Sequence, residues 1–447
     1  MIFLFYIEII GIKWYNIIGI ISSCKSGVNA VKKSLLCVLS VLLLTGCMGL
    51  RDAGDVTRVI NDTESGVHIS EFARSYDMTP EPALPAESDE ASEPAVRAEL
   101  DDPYAGVNIT FLFAGDNLIH PNIYIDASYR KTAEKAYDFL PMYENIAEAV
   151  AAADYAFINQ ETVMAGEGYA NSGYPTFNSP QQLGLDLAKL GFDIIGMANN
   201  HMLDKGAAGL SATMDFWDSC PVVTIGAYRD EEDAARLRIV EKDGVKIALL
   251  AYTYGTNGIV KPSSSPLVIP YIDDELIKSD IAGAEAEADF IIVSIHWGDE
   301  NTQKVSSEQK RLAQLIADSG ADIIIGHHSH TLQPIETVTA ADGREILCVY
   351  SLGNLVSGMA RPVNQVGGLF TFTVTTDGLG GLCVDKPHFE PTVFYYGMDW
   401  YSTKIYYMDQ YTEEIAKSHG TAISGYTLTP EQARAFVTGV IGEEYLN

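Results

Sequence analysis

Positive charge is scarce: 29 Lys and Arg face 60 Asp and Glu, a net −31 over 447 residues. Such a chain repels nucleic acid and anionic headgroups, which argues against both as direct partners. The same charge favours cations. It also makes an anionic polymer hard to approach without a metal or a local basic patch. Patterned cysteine is missing as well. None of Cys24, Cys37, Cys47, Cys220, Cys348 and Cys383 forms a CxxC pair, so a zinc knuckle or thioredoxin-type site is not expected. Cys220, Cys348 and Cys383 read as buried free thiols, because small thiols behave as hydrophobes. No internal repeat or low-complexity array occurs after residue 106. The apolar fraction, 47%, is normal for a globular fold with a sizeable core.

The N-terminal region reads as an address. Lys32 and Lys33 precede SLLCVLSVLLLTG at 34–46, a positive region followed by a short apolar one. That run is short of the roughly 20 residues a membrane span requires. It ends Leu44-Thr45-Gly46-Cys47, which resembles a bacterial lipobox with Cys47 as the lipidated residue. A start near Val28 or Val31 is expected, since residues 1–30 stand before a complete signal peptide. Residues 1–47 are therefore a lipoprotein signal region, and the expected location is extracytoplasmic, lipid-anchored to the membrane. Residues 48–106, rich in Pro, Glu, Ala and Ser, are expected to form a disordered acidic tether.

From Val107 a pattern recurs. VNITFLFAGD, DYAFINQE, FDIIGMANNH, KIALLAYTYG, DFIIVSIHWG, ADIIIGHHSH and ILCVYSLGN are β-branched or aromatic runs, each ending in Gly, Asn, His or an acid. Runs of this kind read as buried strands. Helical spacing separates several of them, at 134–153, 181–191, 209–219 and 306–320, the last opened by Ser306 and Gln309 in capping-box positions. Alternation of this kind predicts an α/β fold with much parallel sheet. Asp243-Gly244 predicts a hairpin, so the sheet is expected to be mixed. The domain is expected over 107–375, with 376–447 as an extension packing on it. Within that extension a Tyr-rich run should pack on the domain or form an edge, and Thr429-Pro430 should open a helix.

In α/β sheets, ligands bind beyond the carboxyl ends of the strands. Asp116, Glu161, Asn200, His296, His328 and His330 all follow strands, so they can converge although distant in sequence. Five of the nine His fall at strand ends: 201, 296, 327, 328 and 330. Imidazole with carboxylate and amide oxygen suits a divalent Mn, Fe or Zn ion, and two such ions could clamp a phosphoryl transfer. Each residue alone has an ordinary reading: Asp116 as a turn residue, His201 as a buried hydrogen-bonded His, His296 as a core His packed on Trp297.

The motifs GDNLIH (115–120), NQE (159–161), ANNHMLDKG (198–206), SIHWGDE (294–300), GHHSHTLQPIE (326–336) and YSLGNL (350–355) resemble, in order, those of the CapA family of capsule (poly-γ-glutamate) synthesis proteins. That family is similar to the calcineurin-like metallophosphoesterases. The resemblance covers about residues 108–360. It implies a metallo-dependent phosphatase-like αββα sandwich with mixed sheets, holding one or two divalent ions. It implies Asp116, Asn200, His296, His328 and His330 as metal ligands, Glu161 as the bridging one, and His201 as the acid or phosphate-stabilising group oriented by Asp204. His327 is expected to be a packing or solvated member. Asn159, Tyr254, Asn257, Glu300, Asn354 and Arg361 are expected around the substrate, with Asn354 bracing a turn or ligand loop and Arg361 offering a guanidinium at the pocket mouth.

The chain also departs from the phosphoesterase pattern. Asp116-Asn117-Leu118 stands where Asp-x-His is wanted, and Asn159-Gln160-Glu161 replaces Gly-Asp-x-x-Asp/Asn. One metal position is therefore expected to be lost or weakened. Three functions follow: a surface protein of capsule-polymer synthesis, export or anchoring, working with membrane proteins of that system; a secreted phosphoesterase acting on phosphate esters; or a non-catalytic polymer-binding scaffold.

Overall fold

A computed structural model describes residues 102–446. The signal region, Cys47 and nearly all of the tether lie outside the described residues. The strands are β1 (Asn108–Leu118), β2 (Tyr155–Gln160), β3 (Ile194–Gly196), β4 (Val223–Ile225), β5 (Arg238–Lys242), β6 (Val245–Thr253), β7 (Phe290–His296), β8 (Ile323–His327), β9 (Leu332–Thr339), β10 (Glu345–Leu352), β11 (Asn354–Ser357), β12 (Val366–Thr376), β13 (Leu382–Tyr395) and β14 (Lys404–Tyr407). They build two sheets. One runs β14-β13-β12-β1-β2-β3-β4, with β11 beside β1; the other runs β5-β6-β7-β8-β10-β9. Both are mixed. β1 to β4 are parallel to their neighbours, as are β6, β7, β8 and β10, while β12, β13, β14, β5 and β9 join antiparallel.

The strand period of two sorts side chains into layers. On β7 every residue is buried. Phe290 and Ile292 face a core shared with Phe111, Phe113 and Phe157 of the other sheet, while Ile291, Val293 and Ile295 pack against helix residues Ile277, Ile281, Leu312 and Ile316. The outer face of the first sheet, Leu112, Ala156 and Ile158, packs against Met142, Leu183, Leu187 and Leu210. The result is the four-layer αββα sandwich with mixed sheets. The central strands are near-continuous apolar runs because both of their faces are covered.

Local signals explain most elements. Ser306 and Gln309 form the reciprocal capping box of the helix Ser307–Asp318, and Thr429 caps Pro430–Thr438. Asp243 and Gly244 turn the β5–β6 hairpin at φ 54° and 81°. Cys220, Cys348 and Cys383 are free thiols, two of them buried.

The expected helix over 134–153 is a correction. It is three short pieces, Leu140–Tyr143, a 3-10 turn Glu144–Ile146, and Ala147–Ala152. Pro141 lacks an N–H and starts a new helix rather than continuing one. Upstream, Asp186 takes the Phe139 N–H (2.9 Å) and Lys135 (2.8 Å) into a loop. After residue 375 the chain adds β13 and β14 to the first sheet. The Tyr-rich run supplies the end of β13 and, in β14, the sheet's edge.

Candidate metal centre

The carboxyl ends of β1, β2 and β3 from one sheet meet those of β6, β7 and β8 from the other. At this edge β1 changes partner: Asn108–Ala114 pair with β12, and Asp116–Leu118 pair with β11. The switch needs a close approach. A Cβ at Gly115 would overlap the Gly353 carbonyl oxygen, to which the Asp116 N–H donates at 2.9 Å. Asp116 is thereby fixed at the inner end of the site, with no exposed surface.

Around it the chain gathers the expected ligands. The Asp116 carboxylate accepts the Asn159 amide (2.7 Å) and the His328 N–H (3.3 Å), and lies 3.4 Å from Nδ1 of both His327 and His330. Glu161 lies beside it, its Oε1 3.6 Å from His296 Nε2 and 3.7 Å from His330 Nε2. His296 Nε2 is 3.0 Å from Asn200 Oδ1. The rings of His296 and His328 are 4.7 Å apart, and Tyr254 covers His328 at 4.4 Å. Two buried ligand groups result, Asp116-Glu161-His330 and Glu161-His296-His328, sharing Glu161. A third, Glu300-His328-His330, has Glu300 exposed.

Burying charge without partners costs several kcal/mol per ion, yet both Glu161 oxygens, both His327 nitrogens and His328 Nδ1 lack hydrogen-bond partners among the described residues. A buried carboxylate with no donor, set between imidazoles, fits a divalent cation. The proton affinities agree. Burial raises the Glu161 carboxyl well above the usual range, with Asp116 adding to this and His330 opposing it. Burial also raises Asp116, but His327 and His330 outweigh it and hold its carboxyl well below that range. Burial lowers His330, but Glu161 and Asp116 outweigh it and lift the imidazole to about 10. Burial, then His330, depresses His328 to about 3, and burial with His328 depresses His296. The Glu161–His330 pair thus holds a proton that a cation would displace.

Beside the cluster, His201 Nδ1 lies 2.8 Å from Asp204 Oδ2, which also accepts the Phe177 N–H at 2.6 Å. The Phe177 ring packs edge-on against His201 at 4.8 Å. Asn257 bridges the two parts, accepting from Asn200 (3.2 Å) with its own amide 3.4 Å from His201 Nδ1.

Two of the residues expected around the substrate, Asn159 and Asn354, contact the cluster itself. Asn159 is buried against Asp116. Asn354 is buried as a brace, its Oδ1 3.0 Å from His330 Nδ1 and its Nδ2 donating to Asn364 O (2.9 Å). Tyr254 is 46% exposed and stands at the mouth, as do Asn257 and Glu300. Arg361 is exposed at the cap of the turn Pro362–Gln365, where its guanidinium makes no ion pair among the described residues. His327 is buried on Phe157 at 5.6 Å, with one nitrogen turned to Asp116. His120 Nδ1 is 3.0 Å from the Gly358 N–H, and its ring packs on Phe177. Sequence reasoning missed Phe177 and Asn364. Neither lies in a periodic run, and only the folded loops reveal them.

Residues 110–359 match the family described as "Bacterial capsule synthesis protein PGA_cap". The PGA biosynthesis protein CapA of Bacillus subtilis is 32% identical over 196 residues, 43% of this chain and 50% of that protein. The capsule biosynthesis protein CapA of Bacillus anthracis is 32% identical over 170 residues, 37% and 40%. The chain spans about half the length, or less, of these relatives. Among solved structures, the NAD nucleotidase of Haemophilus influenzae superposes with a TM-score of 0.42 at 13% identity, covering 75% of this chain and 64% of that one.

Proposed function

This chain belongs to the bacterial capsule synthesis protein family PGA_cap, and on that premise we propose that it acts outside the cytoplasm in the synthesis, export or anchoring of an anionic capsule polymer of the poly-γ-glutamate kind, through a metal-dependent phosphoesterase-like site. The names of its Bacillus relatives, a PGA biosynthesis protein and a capsule biosynthesis protein, support the polymer. The lipobox at Cys47 supports a membrane anchor. No helix among the described residues is long and apolar enough to cross a membrane. The observation that carries the site is Glu161, a fully buried carboxylate without a donor, placed between two imidazole nitrogens.

Asp116, Glu161, His296, His328 and His330, with the Asn200 oxygen, would hold one or two Mn, Fe or Zn ions. When bound, such a cation supplies Lewis-acid charge to a phosphoryl oxygen. The side chains do the rest. Asp204 accepts the Nδ1 proton of His201, which fixes the ring, so that the imidazolium form would give its Nε2 proton to a leaving oxygen and return to the neutral ring. Phe177 holds both members of this pair in place. Tyr254 and Asn257 stand at the mouth, and the exposed guanidinium of Arg361, ahead of the turn Pro362–Gln365, would suit a carboxylate or phosphate of the substrate.

The test joins metal analysis with turnover of p-nitrophenyl phosphate in Mn²⁺. Stoichiometric metal is expected, with turnover falling about 10²- to 10⁴-fold in His201→Ala while metal content stays unchanged. Protein that retains no metal after careful purification is a scaffold, and the site reading fails. Deletion of the gene should alter surface polymer in an organism that makes one. Unaltered polymer beside intact phosphatase turnover marks an ordinary phosphoesterase instead.

A further inference from the structure

The buried ligands need a way in. Asp116, Glu161, His296, His328 and His330 are each no more than 3% exposed, and Glu300 is the exposed member among the three ligand groups. Its loop is pinned to the histidine loop by backbone bonds on either side, Trp297 N–H to His327 O (3.3 Å) and Asn301 N–H to Ser329 O (2.7 Å). A Glu300 oxygen lies within 4.8 Å of a nitrogen on each of His328 and His330. Those two histidines hold φ of 94° and 55°, which few non-glycine residues adopt, so the backbone aims their rings.

The groups overlap in a ring. Glu161 is common to the two buried ones, His330 to one of these and the outer one, and His328 to the other and the outer one. A cation held at the outer position therefore already touches one imidazole of each inner position. It can pass inward by exchanging one ligand at a time, shedding water of hydration as protein donors replace it. The shared imidazoles also prevent all three positions from filling together.

We propose that Glu300, with His328 and His330, forms a solvent-facing loading site through which a divalent cation enters and leaves the buried cluster. This rests on the metal-site reading above. A position on the path that is not the resting place changes passage in both directions by one factor and leaves their ratio, the affinity, unchanged. Loss of a resident ligand does otherwise: release quickens and occupancy falls.

The experiment loads the full chain with Mn²⁺ and follows release into excess chelator, then reloading, in wild type, Glu300→Gln and Asp299→Asn. Asp299 is an exposed neighbour of the same charge. In Glu300→Gln both rates should fall at least about tenfold, the scale on which an auxiliary carboxylate matters at a metal site, with final occupancy unchanged and Asp299→Asn like wild type. Unchanged rates overturn the proposal. So does faster release with lower occupancy, which makes Glu300 a resident ligand. Equal slowing in Asp299→Asn also overturns it, because the effect is then the general field of the surface. Wild-type protein that takes up no Mn²⁺ removes the metal reading itself, a result distinct from these three.

Discussion

Asp126 and Glu161 are both acids buried in the same domain, and their surroundings are opposite. Asp126 accepts from Arg130 (2.7 Å), from the backbone N–H groups of Ser402 (3.0 Å) and Thr403 (2.9 Å), and from the Thr403 hydroxyl. Its charge is spent inside the chain, tying the helix Pro121–Tyr129 to the loop before β14. Among the described residues Glu161 has no hydrogen-bond donor. Two buried histidine settings repeat the contrast. His419 sits among Tyr395, Tyr396 and Tyr411 with both nitrogens used, Nε2 on the Phe394 carbonyl (3.1 Å) and Nδ1 on the Thr421 N–H (3.2 Å). His328 has an unpartnered Nδ1. Burial therefore does not separate structure from function here. Whether the chain satisfies the buried group does, since native proteins rarely leave such groups unmatched without cause.

The contrast breaks most visibly at Asp126. Asp126→Ala leaves the Ser402 and Thr403 N–H groups and the Thr403 hydroxyl without their acceptor and Arg130, which is partly exposed, without its ion pair, and each buried donor left unsatisfied costs about 1–3 kcal/mol. Denaturant melts should show a loss of that order, with Mn²⁺ occupancy of the folded protein unchanged. A loss under about 1 kcal/mol would mean that Asp126 is not the tie its bonds suggest. Glu161→Gln should behave in reverse. Metal affinity should fall about 100-fold or more, roughly 2.7 kcal/mol, read by calorimetric titration, while the chelated protein melts no lower than wild type. If chelated Glu161→Gln is strongly destabilised, Glu161 belongs with Asp126 as a structural acid.

The sequence showed where the strands end and what stands there, because a buried strand is a local apolar run and a loop-edge residue is its next polar neighbour. The capping box at Ser306 and the turn at Asp243-Gly244 were equally local. Convergence of Asp116, Glu161, Asn200, His296 and His330 followed from parallel-strand geometry together with the motif order. What it could not show depends on contacts between distant segments. Pro141 opens a short helix after a loop, where apolar spacing alone would run one helix through. Phe177 serves His201 only because its loop folds back over Asp204. Asn159 reads as a pocket amide, yet it is buried against Asp116, while Asn354, read as a brace for a turn or ligand loop, has its Oδ1 3.0 Å from His330 Nδ1. Glu300 belongs to a motif, but its nearness to two histidines of another loop comes from the bond between Asn301 and Ser329.

The smallest expected effect is the pH response of the chelated protein, and its sign follows from the same contrast. His330 is held at about 10, since Glu161 and Asp116 outweigh the burial that would lower it. A raised imidazole contributes stability that is fully present below its unfolded value of about 6.5 and lost as pH rises through the folded one. Glu161 and His330 share this dependence as one coupled pair: burial pushes the Glu161 carboxyl well above the usual range, so the folded pair keeps a proton that the unfolded chain releases, and stability falls as pH rises. His296 and His328 are depressed and stay out of this window, being neutral in both states above about 6.5. Chelated wild type should therefore melt progressively lower from about pH 7 to about pH 10, and His330→Gln should flatten that slope. Mn²⁺ should reverse it, because ligands freed of protons bind cations more tightly. Thermal melts across the window, with and without chelator, decide the matter. Parallel curves for wild type and His330→Gln would place His330 with His419, as a buried imidazole whose needs the fold already meets.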